Sequence, residues 1–186
     1  MMKKKYMTGM AIGLIMIGIS GGVQAMEFDF NYSGANISGS GKIDTIDNGN
    51  GTFTAISGVS TGTYDGISYG TFSLVINSNA PNYAYSPSGM FYYDNIVTPG
   101  SQQPLLDDGG LLFTNGTQEL NIWGNGVGIH GEVNPYSAWL WNPESGSFSQ
   151  NGDVTFNANA VPEPATMLLF GAGLIGLAGL VPKRRA

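Results

Sequence analysis

The stretch ISGSGKIDTIDNGNGTFTAISGV, residues 37–59, decides the fold class. Two runs that alternate apolar with small or polar side chains flank the segment Asp47-Asn48-Gly49-Asn50-Gly51. Asn-Gly between alternating runs favours a β-hairpin, because both central turn residues must accept a positive φ. The stretch therefore predicts two antiparallel strands, over residues 37–46 and 52–59, joined by a tight turn.

Alternation continues on both sides of this hairpin. Phe28, Phe30 and Tyr32 are spaced two apart, so they share one face of an earlier strand. Further strands are predicted at 67–76, 90–97, 111–113, 120–123, 138–141 and 154–156, with proline-containing loops at 77–88 and 99–104. Short strands at this spacing, with no helical period between them, predict an all-β domain, an antiparallel β-sandwich or jelly-roll-like ectodomain over residues 26–160.

The composition excludes several classes of protein. The chain has 186 residues, 29 glycines and no cysteine, so it has no disulfide framework, thiolate metal site or cysteine nucleophile. Six of its seven basic residues lie in the clusters 3–5 and 183–185. Between the clusters stand all thirteen acidic residues and Lys42, a net charge of −12, which argues against nucleic acid as a partner.

The first 25 residues have the three parts of a secretory signal peptide. Three lysines precede an apolar run at about 7–19, and small and polar residues follow up to Ala25. This order predicts cleavage between Ala25 and Met26, with the Sec translocon and signal peptidase as partners. An uncleaved membrane anchor is the alternative, but the apolar run is short for a span of about 20 residues.

The other end of the chain predicts a single transmembrane helix. Residues 165–181 carry no charge and would span about 25 Å as a helix. The basic tail Lys183-Arg184-Arg185 follows, and such residues stay on the cytoplasmic side, which leaves the domain outside. A buried core helix is the alternative, and the lack of any polar face argues against it.

A proline-rich tetrapeptide, Val161-Pro162-Glu163-Pro164, precedes this predicted helix. Both prolines fix φ, and the residues before them are pushed toward extended conformations. The tetrapeptide is therefore stiff, which suits either a rigid stalk or a peptide that a processing enzyme grips.

Pro162-Glu163-Pro164, the following Ala165-Thr166, the Gly/Leu-rich segment and Arg184-Arg185 together resemble the PEP-CTERM protein-sorting signal, over residues 161–186. The resemblance implies that the chain is a substrate of exosortase, a membrane transpeptidase-like enzyme of Gram-negative bacteria. That enzyme would recognise the Pro-Glu-Pro region, cut near it, and release the domain from the inner membrane to the cell surface or extracellular matrix. The resemblance carries over no catalytic residue.

Two short stretches inside the domain also resemble the ectodomains of some PEP-CTERM proteins. They are Asp94-Asn95 and the run LLDDGGLLF at residues 105–113. The resemblance supports a secreted β domain and assigns no activity.

Aromatic residues supply the candidate sugar contacts. Trp139 and Trp141 are two apart and share a strand face, where with Tyr136 they would form a stacking platform. Tyr83 and Tyr85 lie in a second aromatic region beside polar loops. The alternative is that these rings fill the core, where large aromatics carry much of the buried area.

No cofactor is predicted, and calcium is the one candidate for which the sequence offers ligands. Asp44, Asp47 and Asn50 near the hairpin turn, and Asp107 and Asp108 in a later turn, offer the hard oxygen ligands that Ca²⁺ prefers. Neither stretch has the spacing of an EF-hand loop. Asp and Asn also favour turns for backbone reasons, and that alternative stays open.

No catalytic constellation is present in the sequence. His130, the single histidine, has no triad partners around it, and a structural or surface role is predicted. The chain is thus predicted to be a non-enzymatic surface or biofilm-matrix protein with a structural or adhesive role in contact with exopolysaccharide. The alternatives are a carbohydrate- or calcium-dependent binding module and, less favoured, a polysaccharide hydrolase.

Overall fold

The computed structural model describes residues 25–100, 105–126 and 136–161. These residues form strands and turns and no helix, so the predicted all-β class with antiparallel pairing is confirmed. The strands are β1 (Ala25–Gly34), β2 (Ile37–Asp47), β3 (Phe53–Tyr64), β4 (Ile67–Leu74), β5 (Ala84–Tyr85), β6 (Tyr92–Tyr93), β7 (Ile96–Val97), β8 (Leu111–Thr114), β9 (Glu119–Gly124), β10 (Tyr136–Asn142) and β11 (Ser147–Val161).

Eight strands, β1–β4 and β8–β11, close into a barrel. Each pairs antiparallel with the next in chain order, β4 pairs with β8, and β11 returns to pair with β1. The predicted two-sheet sandwich or jelly-roll-like arrangement is wrong, because a single sheet closes on itself. Closure depends on β11, whose residues 147–154 pair with β10 and whose residues 154–161 pair with β1. Alternation of apolar and polar residues is common to sandwiches and barrels, so the sequence pattern does not distinguish them.

Large rings on β1 face glycines on β2 inside the barrel. In the antiparallel register Phe30 lies opposite Gly41, and Tyr32 lies opposite Gly39. A Cβ atom on Gly41 would overlap the carbonyl oxygen of Val59 and the ring of Phe30. The glycines in this strand are therefore required by packing, since the neighbouring rings already fill the interior.

The interior is a single aromatic and aliphatic core. The Phe30 ring centroid lies 5.5 Å from that of Phe113 and 5.8 Å from that of Phe156, which joins three strands around the barrel. The Tyr32 hydroxyl lies 3.3 Å from Ser60 Oγ and also contacts the hydroxyl of Tyr69. Burial raises the pKa of Tyr32 to about 12, so this phenol stays neutral.

An insert, residues 75–110, connects β4 to β8 and covers part of the outer face of the barrel. Phe91 and Tyr93 of the insert pack against Leu112 of β8 in a second hydrophobic cluster. Leu111 points into the barrel and Leu112 points out, yet both are fully buried. The wall formed by β8, β9 and β10 is therefore covered on both faces.

Asn95 fastens the insert to the barrel. Its side-chain amide donates to the carbonyl of Val75 at 2.8 Å, and its Oδ1 accepts from the Leu112 amide at 3.2 Å. Its backbone donates to Gly110 and accepts from Ala55, both at 2.9 Å. Asn95 has φ of 62°, a conformation that Asn tolerates better than most residues. This residue also breaks the single strand predicted over 90–97 into β6 and β7.

The run at residues 105–113, which resembles the ectodomains of some PEP-CTERM proteins, completes the junction between the insert and the barrel. The Asp107 carboxylate accepts from the amides of Gly109 and Gly110 at 3.0 and 3.1 Å. Gly110 has φ of 61°, and a side chain there would overlap the carbonyl of Ile122. The Asp94-Asn95 pair and the run at 105–113 thus form one hydrogen-bonded structural unit.

Candidate functional site

A groove of about 230 Å³ lies on the outer face of β9 and β10, beside the insert. Its lining residues are Met90, Phe91, Tyr92 and Asp108 from the insert and Asn121, Trp123 and Trp139 from the barrel. The groove is therefore mostly aromatic, with one carboxylate and one amide.

Strand alternation explains why these barrel residues point outward. On β9, Leu120 and Ile122 enter the interior, so Asn121 and Trp123 face out. On β10, Trp139 lies directly opposite Asn121 in the antiparallel pairing. The wall thus presents an amide and two indoles side by side on a rigid sheet.

The aromatic rings of the groove support one another edge to face. The ring centroids of Trp123 and Trp139 are 5.2 Å apart at 76°, and those of Trp139 and Phe148 are 4.8 Å apart at 75°. Trp141 contacts Phe148 from the other side, with centroids 4.8 Å apart. This interlocking holds the rings in place and leaves their partly exposed surfaces fixed before any ligand arrives.

Asn121 carries an unpaired polar atom at this site. The side chain is only 3% exposed, and its Nδ2 donates to the Tyr92 carbonyl at 3.3 Å. Exchanging the amide oxygen and nitrogen would set two acceptors against each other, so this contact fixes the orientation. Among the described residues, Oδ1 has no hydrogen-bond partner. A buried acceptor without a donor costs about 1–3 kcal/mol, which a bound donor would offset.

The acidic edge of the groove is held by Tyr83. Its hydroxyl donates to Asp108 Oδ1 at 2.6 Å, and its ring meets Tyr92 edge to face with centroids 5.3 Å apart. The hydrogen bond to Asp108 raises the pKa of Tyr83, with burial and nearby carboxylates adding to it. Asp108 is thus positioned at the rim as a carboxylate with a fixed orientation.

Asp94 lies behind this edge and does not line the groove. Burial, followed by a hydrogen bond with Asp107, raises its pKa to about 8. One of its oxygens accepts from the Ile96 amide at 3.0 Å. The neutral carboxyl of Asp94 is accordingly part of the insert junction.

Glu119 anchors the stretch of insert that borders the groove. Its carboxylate accepts from the Ser88 amide at 2.8 Å and from the Ser88 hydroxyl at 2.5 Å. Glu119 is 3% exposed, so this pair is shielded from solvent. The contact fixes the segment 88–92 against β9.

A larger groove of about 390 Å³ on the opposite wall has a different character. It lies across β1, β2, β3 and β11, and its side chains are mainly polar. Lys42 in this groove lies 2.8 Å from Glu27 and 3.4 Å from Asp29, so its charge is already compensated. It offers no outward aromatic ring, and the aromatic groove remains the stronger candidate.

The predicted sugar contacts separate in the structure. Trp139 lines the groove, Trp141 lies next to it, and Tyr83 holds its edge. Tyr85 is 78% exposed on β5 and does not line the groove. Neither tryptophan enters the barrel interior, since both pack against the outer cluster.

Pattern analysis missed other residues of the groove. Trp123 and Asn121 were within a predicted strand, but only the pairing of β9 with β10 brings them beside Trp139. Phe91 and Tyr92 arrive from a part of the chain about 30 residues away in sequence, and no local signal reveals that contact.

The predicted calcium ligands lie at two turns and near a strand end. Their hydrogen-bond donors are Ser57 for Asp44, Gly49 for Asp47, Thr52 for Asn50, Gly109 for Asp107 and Tyr83 for Asp108. Within the described part of the chain, no three His, Asp or Glu side chains gather in a way that would hold a metal ion. Calcium binding stays a prediction. EGTA should lower the melting temperature of the full chain if it is right, and an unchanged value would contradict it.

Several predicted features fall outside the described residues. They are the signal segment up to residue 24, His130, the motif from Pro162 to Thr166, the apolar span 165–181 and the tail Lys183–Arg185. Met26 and Val161, at the borders, lie in β1 and β11, and Glu27 pairs with Val161. Among the residues that the structure describes, no helix is long and apolar enough to cross a membrane.

Comparison with known proteins concerns the C-terminal end of the chain. The family described as the PEP-CTERM protein-sorting motif matches residues 160–185, which confirms the resemblance seen in the sequence. No curated protein and no solved structure matches the chain. The motif implies processing by exosortase, export and sorting to the cell surface.

Proposed function

We propose that this exosortase substrate acts at the cell surface or in the biofilm matrix as a non-enzymatic structural or adhesive protein that holds exopolysaccharide. The aromatic groove on β9 and β10 would be its contact with the polymer. The observation that carries the proposal is the fixed set of Trp123, Trp139 and Asn121 on one rigid wall.

The chemistry of the groove fits a sugar. The C–H faces of a pyranose ring pack on indole rings, and its hydroxyls need hydrogen-bond partners at the edges. Trp123 and Trp139 offer the rings, Asp108 offers an exposed acceptor at the rim, and Asn121 Oδ1 is a buried acceptor without a partner. Binding sites for small molecules are typically concave and apolar, with a few polar groups placed to orient the ligand.

The carboxylates support binding rather than hydrolysis. Glycoside hydrolases use two carboxyl groups about 5–10 Å apart across the scissile bond. Asp108 is the single carboxylate among the described residues that line the groove. Asp94 has a raised pKa, as a general acid would, but it lies behind the groove and is hydrogen-bonded to Asp107. A binding role therefore needs fewer further assumptions than a catalytic one.

The proposal is tested by measuring oligosaccharide binding to the full-length chain in a mild detergent. We expect Trp139→Ala to lower affinity at least tenfold. The stacking of a nucleic-acid base on an aromatic side chain contributes about 1–3 kcal/mol, and a sugar ring is of similar size. Tyr85→Ala is the control. It removes an exposed aromatic side chain outside the groove and should change affinity less than about twofold.

The melting temperature of both variants shows whether the barrel stays folded. Binding that is lost equally in both variants, or absent from the unmodified chain for every neutral and acidic oligosaccharide tried, would overturn the proposal.

A further inference from the structure

The groove carries donors in the indole N–H groups of Trp123 and Trp139, whereas its charged group, Asp108, is a hydrogen-bond acceptor. The Nδ2 of Asn121 is already engaged by the Tyr92 carbonyl, which leaves Oδ1 unpaired but buried, so the amide must turn toward the groove for a ligand to reach it. Asp108 adds a carboxylate at the rim, and one of its oxygens accepts from Tyr83. A ligand group that pairs with Asp108 or with Asn121 Oδ1 must therefore be a donor, such as a hydroxyl group or an acetamido N–H.

The electrostatic surroundings are negative. Asp94 and Asp107 lie close to Asp108, and burial together with these neighbours favours the neutral form of Asp94. Lys42 is the single Lys or Arg between residues 26 and 161, and it lies on β2 in an ion pair with Glu27. Strands β1, β11 and β10 separate β2 from β9, so this cation does not compensate the groove.

A carboxylate on the ligand would meet the negative charge of Asp108, and no Lys or Arg among the described residues that line the groove offsets that charge. Two unit charges 4 Å apart near a protein surface repel by about 1–4 kcal/mol, depending on solvent exposure. A carboxylate also lacks the proton that Asn121 Oδ1 needs. Both effects act in the same direction.

We infer that the groove selects uncharged pyranose residues, hexoses or N-acetylhexosamines, over uronic acids, and that Asn121 Oδ1 accepts a hydrogen bond from the bound sugar. The inference rests on the proposed function, because it names the class of polymer that the same groove would take. It makes Asn121 a specificity-determining residue and Asp108 the group that rejects acidic polymers.

Two matched pairs of pentasaccharides test the selectivity on the full-length chain. β-1,4-Mannopentaose is compared with β-1,4-mannuronate pentamer, and β-1,4-glucopentaose with β-1,4-glucuronate pentamer. Within each pair only the C6 group differs, so stacking and linkage geometry are shared. In at least one pair we expect the neutral member to bind tenfold or more tightly, with a smaller ratio at high salt.

Two variants assign the effect to residues. Asp108→Asn removes the rim charge at an exposed position and should bring the two members of a pair within about threefold of each other. Asn121→Leu keeps the size of the side chain but removes the acceptor, and should weaken the neutral pentamer about tenfold. Its melting temperature should change little, because removal of the unpaired buried acceptor offsets the loss of the bond to the Tyr92 carbonyl. Asn31→Leu, on the outer face of β1, is the control and should change neither affinity.

The outcomes separate this inference from the proposed function. Uronate pentamers that bind as tightly as their neutral partners would overturn the selectivity and leave the polysaccharide contact standing. Neutral binding that is unchanged in Asn121→Leu would overturn the role of Asn121. Failure of all four pentamers, and of an N-acetylglucosamine pentamer, would contradict the proposed function itself.

Discussion

Two walls of the same barrel differ in what covers them. On the β1–β2–β3 wall, buried residues such as Phe28 and Phe30 alternate with exposed ones such as Asp29 and Asn31. On the β8–β9–β10 wall, Leu111 and its neighbour Leu112 are both fully buried, because the insert lies over the outer face.

The difference shows how a site arises on a closed barrel. The β1–β2–β3 wall buries its inward face by its own alternation. Most of the side chains that line its outer groove are polar, and Lys42 there is already paired with Glu27. The outer face of the β8–β9–β10 wall is covered by the insert, and the aromatic groove lies at the edge of the insert. At the edge of the insert, the apolar outer face of β9 and β10 is no longer covered. Aromatic rings and the unpaired Oδ1 of Asn121 are therefore left at this border.

The largest effect is expected where the insert is fastened. Asn95→Ala removes the bonds to Val75 and Leu112 and places alanine at a φ of 62°. Unpaired buried groups and the strained backbone together should lower the free energy of unfolding by about 4 kcal/mol. Asn115→Ala, in an exposed turn, is the matched control and should cost about 1 kcal/mol or less. Urea unfolding measures both.

Equal losses in the two asparagine variants would mean that the insert contributes little to stability. The cover over the β8–β9–β10 wall would then make no difference to stability.

The next effect compares outward-facing residues of the two walls. Leu112→Ala leaves a cavity under the insert and should cost about 3 kcal/mol, close to the value for its inward neighbour Leu111→Ala. Val59→Ala, on the other wall, removes a side chain that is 44% exposed and should cost less than about 1 kcal/mol. The same urea measurement applies. A Leu112→Ala variant as stable as Val59→Ala would remove the distinction between the walls.

The sequence was informative where alternation is local. The hairpin of β2 and β3 and the strand cores of β1 and β4 follow from side-chain period and from the Asn-Gly turn. The barrel did not follow, because closure depends on β11 pairing with β10 along one half and β1 along the other. The alternation of apolar and polar residues does not predict which strands pair with β11.

The candidate site was only partly predictable for the same reason. Trp139 and Trp141 share a face by spacing alone, and the sequence analysis named them. Trp123 joins Trp139 through strand pairing, and Tyr92 joins through an insert that crosses the barrel surface. Both contacts depend on tertiary structure that no local window contains.

The effect that vanishes at low pH concerns protonation beneath the insert. Asp94 has a folded-state pKa of about 8, against an ordinary value of 3.8, because it is buried and hydrogen-bonded to Asp107. The native chain therefore keeps a proton that the unfolded chain releases above about pH 4, and this contribution to stability falls as the pH rises toward 8. Asp94→Asn is neutral at every pH, and its amide can donate to Asp107 as the protonated carboxyl does. We expect its stability advantage over the unmodified chain to be almost nothing at pH 4 and to grow steadily as the pH rises to 8. Urea unfolding at pH 4, 6 and 8 measures the difference, with the exposed Asp153→Asn as the control that leaves Asp94 in place. A gain that is independent of pH would show that the junction holds Asp94 ionised, and the carboxylates beneath the groove would then add more negative charge to it than the geometry implies.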